Sequence, residues 1–130
     1  MKLAVNVKVK TGILEMVPWI SNNTAQAIYP NIYLPKKVFE NLKSLKPNPK
    51  YIDVLLHEEA HIKRQREMGL LRWGMKYVFS PRFRFNEEIF AIKAQKNVNV
   101  EKSARQLSSW VYLWMVSYEE AKNVLKIIMH

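Results

Sequence analysis

The chain has 130 residues, 48% of them apolar and 12% aromatic, which suits one compact domain with its own core. It has no cysteine, so disulfides and thiolate metal sites are excluded, and any metal must be held by its three histidines, one aspartate and ten glutamates. The net charge of +10 fits an anionic partner such as nucleic acid, an acidic protein or lipid head groups, or simply a basic protein whose lysines keep it solvated.

Residues 2–8 alternate Leu3, Val5 and Val7 with polar neighbours, the pattern of a strand. Residues 13–17, between Gly12 and Pro18, suit a short strand or a single turn. Ser21-Asn22-Asn23-Thr24 is a turn or loop despite matching a glycosylation sequon. Residues 27–34 are rich in Ile and Tyr but contain Pro30, which cannot donate to a ladder; an edge strand is expected. Pro35 fits the first position of a helix running to about Leu45. Pro47-Asn48-Pro49 then starts a second helix, with Ile52, Leu55, Leu56 and Ala60 on its apolar side and Gly69 at its end. Residues 70–79 are a short helix or a packed loop. Further helices are expected over 84–97, over 100–116 and, from the capping box of Ser117 and Glu120, to about Ile128. The fold class is α+β: a small N-terminal sheet with an exposed edge strand, followed by helices, in one domain over residues 1–130. The longest mostly apolar run, 110–116, is far short of the roughly 20 residues a bilayer span needs. The N-terminus lacks the continuous apolar stretch of a signal peptide, so a cytoplasmic protein is expected.

The second helix carries His57-Glu58-Glu59-Ala60-His61, an H-E-x-x-H sequence. Residues four apart share a helix face, so both imidazoles can point at one metal ion. Glu58 lies about 100° round the helix, placed to act on a water beside the metal rather than to ligate. This pattern points to a zinc-dependent hydrolase, most readily a peptidase, with Glu58 as general base. Glu59 is then expected to face solvent or Lys63.

A catalytic zinc needs a third protein ligand. Glu67 lies about 9 Å further along the helix axis than His61 and is rotated well away from it. His130 is the last residue, where a frayed end is the ordinary expectation. Glu87 and Glu88 lie on the helix expected over 84–97. Glu88 shares a face with Ala91 and Gln95, and the small Ala91 lets that helix approach closely. Glu87 would point to solvent or to Arg84. Glu88 is the preferred ligand. Asp53, one turn before His57, is either an acceptor for an imidazole N–H or an ordinary helix N-terminal acid.

The combination of His57-Glu58-x-x-His61 with Glu88-x-x-Ala91 resembles the gluzincin metallopeptidases, and in its short single-domain length most resembles the minigluzincins. The Leu55-Leu56-His57-Glu58 entry and the Ile32-Tyr33-Leu34-Pro35 join are similar as well. The resemblance covers about residues 27–97. It implies a zincin-like fold, one zinc ion held by His57, His61 and Glu88, and Glu58 as the catalytic base. It also implies a peptide or protein substrate held in extended form along the edge strand of residues 27–34. Many larger gluzincins have an acidic residue where this chain has Ile92. Because minigluzincins are latent, the resemblance further implies that residues from about 100 onward either block the cleft or complete the core. His130 or its carboxylate would then displace the catalytic water, and deletion from about residue 117 would raise activity.

A different class of function rests on residues 72–85, where Arg72, Lys76, Arg82 and Arg84 interleave with Trp73, Tyr77, Phe79, Phe83 and Phe85. Such a string suits stacking on single-stranded nucleic acid or sitting at an anionic membrane surface, with the metal site structural or vestigial. It equally suits core aromatics with solvated arginines.

Overall fold

The computed structural model describes residues 6–10, 25–109 and 115–129. Strands β1 (Val7–Val9), β2 (Gln26–Ile28) and β3 (Asn31–Leu34) are followed by helices α1 (Lys36–Lys43), α2 (Pro49–Met68), α3 (Leu70–Phe79), α4 (Pro81–Lys93), α5 (Val100–Leu107) and α6 (Tyr118–Ile128). The expected α+β class, with a small mixed sheet ahead of the helices, is what the chain forms.

The sheet order is β1-β3-β2. β1 runs parallel to β3, with Val7 opposite Ile32, and β2 runs antiparallel to β3, with Ala27 opposite Ile32. The single edge strand expected over 27–34 is therefore a hairpin. Pro30 lacks an N–H and sits with Tyr29 in the turn, and the residues after it form the central strand rather than an edge. The edge strand of that hairpin is β2. On β3 the period of two puts Ile32 and Leu34 into the core.

Helix boundaries follow local chemistry. Asn48 caps α2 by accepting from the Lys50 N–H, and Pro49 takes the first position, where no N–H is needed. Gly69 ends α2 at φ 93°, in the left-handed range that a side chain disfavours. Residues 70–79 resolve into a helix whose end is held by a buried arginine: Arg84 Nη1 donates to the carbonyls of Tyr77 and Val78. Ser80 caps α4 through the Phe83 N–H, so α4 starts three residues earlier than expected. Ser117 accepts from the Glu120 N–H at the start of α6, as the capping box implies. The helix expected over 100–116 stops at Leu107, where the Ser108 hydroxyl turns back to the Ala104 carbonyl. Its expected continuation through Val111 and Trp114, the turn at 21–24 and the element at 13–17 lie outside the described residues, as does His130.

Two cores form. One joins Val7, Ile32 and Leu34 of the sheet to Val38, Leu42 and Leu55. The other joins Phe85 and Ile92 of α4 to Ala104, Leu107, Ala121 and Leu125. α2 belongs to the first and α4 to the second, and the two helices pack on each other. Ala91 is fully buried in α4. No helix among the described residues is long and apolar enough to cross a membrane.

Candidate metal centre

Helix α2 buries Asp53, Glu58, His61 and Gln65 along with Leu55 and Ala60, and α4 buries Arg84, Glu87 and Glu88. Buried polar side chains on packed helices need partners. His61 and Glu88 find them in each other, while Asp53, Gln65 and Arg84 turn to backbone groups and Glu87 to Arg64 and Trp73.

The centre is Glu88. Its Oε2 accepts from His57 Nε2 at 2.9 Å and from His61 Nε2 at 3.1 Å, and its Oε1 accepts from the Tyr77 hydroxyl at 2.6 Å. One ligating atom from each of His57, His61 and Glu88 lies within 4.8 Å of the others, close enough to bind a metal ion. Ligands of a tetrahedral metal with bonds of about 2.0–2.2 Å stand roughly 3.3 Å apart, within a few tenths of an ångström of the two Glu88 separations. Two imidazoles and a carboxylate are also a donor set suited to borderline divalent cations. The residues fit a metal ion.

Glu87 points elsewhere. The expectation that it faces solvent or Arg84 is corrected: it is 4% exposed, and both its oxygens accept from Arg64 Nε at 3.1 and 3.2 Å. Oε1 also accepts from Trp73 Nε1 at 2.7 Å. Adjacent glutamates, about 100° apart on α4, thus serve different partners. Glu67 is an exposed partner of Arg64 at 3.6 Å, away from the centre. Asp53 is not an imidazole acceptor. Its carboxylate accepts from the backbone N–H groups of Lys96 and Asn97, at 2.7 and 3.2 Å, and so pins the chain after α4 to the start of α2.

The second contact of His57 comes from Gln95, whose Nε2 lies 2.7 Å from His57 Nδ1. With the imidazole proton on Nε2 and donated to Glu88, Nδ1 accepts from the Gln95 amide. A metal-ligating Nε2 requires the proton on Nδ1, and the same amide, turned over, offers its oxygen. Gln95 can therefore serve both states. His61 Nδ1 has no hydrogen-bond partner among the described residues.

The electrostatics follow the packing. Burial alone would push His61 down, but the charge and hydrogen bond of Glu88 outweigh it and lift the imidazole to about 9. Burial would raise Glu88, but the two imidazoles hold it well below the usual carboxylate range. Glu58 is raised, chiefly by burial, against the pull of the two imidazoles and Lys10. Lys10, at the end of β1, is 2% exposed, and burial lowers it to about 8 despite the attraction of Glu58. Glu59 is exposed, the solvent-facing placement expected of it.

His57 and Glu58 form part of the wall of a cleft of about 640 Å³, whose other walls come from α1, the start of α2, the chain after α4, and α5. Lys37, Lys50 and Lys102 line it. α6 contributes no lining residue; its Ala121 and Leu125 are buried in the second core.

Several contributors were not anticipated from sequence. Gln65 is 1% exposed; its Nε2 donates to the Ala27 carbonyl at 2.8 Å and its Oε1 accepts from the Tyr29 N–H at 2.7 Å. It ties α2 to the edge strand and occupies backbone groups there. The signal was available, because His57, His61 and Gln65 recur every four residues on one face. Trp73 and Tyr77, also four apart, stack at 4.7 Å and approach His61 edge-on at 5.6 and 6.4 Å.

Comparison with protein-family models, with curated proteins and with solved structures finds no match.

Proposed function

We propose that this chain is a zinc-dependent metallopeptidase of the gluzincin pattern, with His57, His61 and Glu88 holding the ion and Glu58 acting as general base. The observation that carries the reading is the convergence of both Nε2 atoms on Glu88 Oε2, with Glu58 buried beside them in the cleft wall. Bound zinc would lower the pKa of a coordinated water and polarise a carbonyl. Glu58, raised by burial, is suited to accept a proton from the attacking water and pass it to the leaving amine. The positive charge of Lys10 beside it keeps an ionised form accessible. Gln95 fixes the His57 ring, and Tyr77 fixes the carboxylate of Glu88.

The cleft suggests what is cut. Lys37, Lys50 and Lys102 reach it from three helices, while the carboxylate of Asp53 is committed to backbone amides. An extended peptide with acidic side chains suits this lining. The structure gives α6 a place in the second core, so deletion from residue 117 is now expected to unfold the chain rather than to activate it.

The test is hydrolysis of acidic and basic peptide libraries by zinc-loaded protein, beside Glu58→Gln. Zinc-dependent cleavage that disappears in Glu58→Gln, with zinc retained, supports the reading. Equal residual cleavage by both proteins contradicts it.

A further inference from the structure

Helix α3 is apolar on two faces. Trp73 and Tyr77 point inward and hold Glu87 and Glu88. Roughly opposite them, Leu71, Met75, Val78 and Phe79 fall within an arc of about 100° at helical spacing. These four are 78%, 55%, 57% and 78% exposed. A helix apolar on both sides is ordinarily buried on both, and an exposed contiguous strip marks a contact surface.

The charge around this strip has one sign. Residues 68–86 contain no aspartate or glutamate. Arg72 and Lys76 lie beside the apolar arc, and Arg82 follows at the start of α4; all three are exposed. Long cationic side chains at such a border can reach outward to anionic groups while their stems cover apolar surface. Base stacking needs exposed aromatic faces, and most of the aromatics of this segment are turned inward: Trp73 and Phe85 are buried, Tyr77 and Phe83 partly so, and Phe79 alone on α3 is exposed.

We propose that the outer face of α3 docks on an anionic lipid surface, lying in the plane of the interface with Leu71, Met75, Val78 and Phe79 directed into it. At ten residues the helix is too short to span and suits this interfacial placement. The docking places the membrane behind the metal centre, on the far side of the helix that carries Trp73 and Tyr77. It does not depend on the peptidase reading.

The experiment is co-sedimentation of the full chain with vesicles of phosphatidylcholine alone and of phosphatidylcholine mixed with phosphatidylserine. Binding is expected to the mixed vesicles only, and Leu71→Glu/Phe79→Glu is expected to lower the partition coefficient about tenfold or more. Both changes are at exposed positions, and an unchanged thermal midpoint confirms that the variant is folded. Because the chain has no cysteine, Val78→Cys can carry a single environment-sensitive fluorophore. Its emission should shift to the blue on mixed vesicles, while the same label at Glu40→Cys on α1 should not. Absence of wild-type binding, or equal binding by the double variant, would overturn the proposal. So would a dimer that the double variant dissolves, or single-stranded DNA binding lost in that variant.

Discussion

His57 and His61 present the same atom to the same carboxylate oxygen, yet one stands in the wall of the cleft and the other is sealed behind Trp73 and Tyr77. The sealed flank also holds Glu87, Arg64 and the Tyr77 hydroxyl, joined by short hydrogen bonds around two buried carboxylates. The open flank holds Glu58, Gln95 and the lysines of the cleft. The difference separates two tasks. One side fixes ligands in a low-dielectric surrounding where an unpaired charge is costly. The other leaves the proposed base and an adaptable amide lining the cleft.

Substitutions should divide along the same line. On the proposed role of Glu58 as general base, the largest effect on turnover is expected from Glu58→Gln on the open flank, a loss of about a thousandfold in kcat with metal content unchanged. Steady-state peptidase assays beside metal analysis would check it. On the sealed flank, the metal-free protein should show a pH signature. His61 is raised above its unfolded value of about 6.5, so the His61–Glu88 pair stabilises fully below that pH and the contribution is lost as pH rises through about 9. The amount is on the order of 3 kcal/mol. Thermal or urea unfolding of metal-free protein across this window should show stability falling, and Glu88→Gln should flatten the slope.

Glu87→Gln tests the neighbouring pair. It removes a buried charge from Arg64 and weakens the acceptor of Trp73, so a destabilisation of about 1–3 kcal/mol is expected with metal binding preserved. Urea denaturation of the loaded protein would measure it. The smallest effect belongs to Gln95→Ala, which frees His57 Nδ1 and should weaken metal affinity about tenfold without altering the fold. Competition with a chelator would show this, and Gln95→Glu should restore the loss.

Much of this site could be read in the residues. The four-residue spacing of His57 and His61, and the shared face of Glu88 and Ala91, are properties of any α-helix; Gln95 lies beyond the end of α4 at Lys93, short of the expected helix end at 97, and reaches His57 from the chain that follows. Asn48, Pro49 and Gly69 mark the ends of α2 by chemistry that acts within a few residues. Contacts across the chain were harder. Asp53 lies one turn from His57, but its carboxylate turns to amides more than forty residues away. Tyr77 and Trp73 reach the centre only because Gly69 folds α3 back beside α4. Pro30 suggested an edge strand over 27–34, but it sits in the turn of a hairpin whose second strand is central, a distinction that local sequence does not carry. The helix expected over 100–116 shows the same limit, since apolar spacing continued past the point where Ser108 closed the last turn.

The central claim is that Glu88, and not Glu87, completes a metal site with His57 and His61. The most direct measurement is zinc content by elemental analysis of the wild type, Glu88→Ala and Glu87→Ala, purified side by side. One zinc per chain in the wild type and in Glu87→Ala, with none in Glu88→Ala, is the predicted result. Zinc retained in Glu88→Ala, or absent from the wild type, would contradict it.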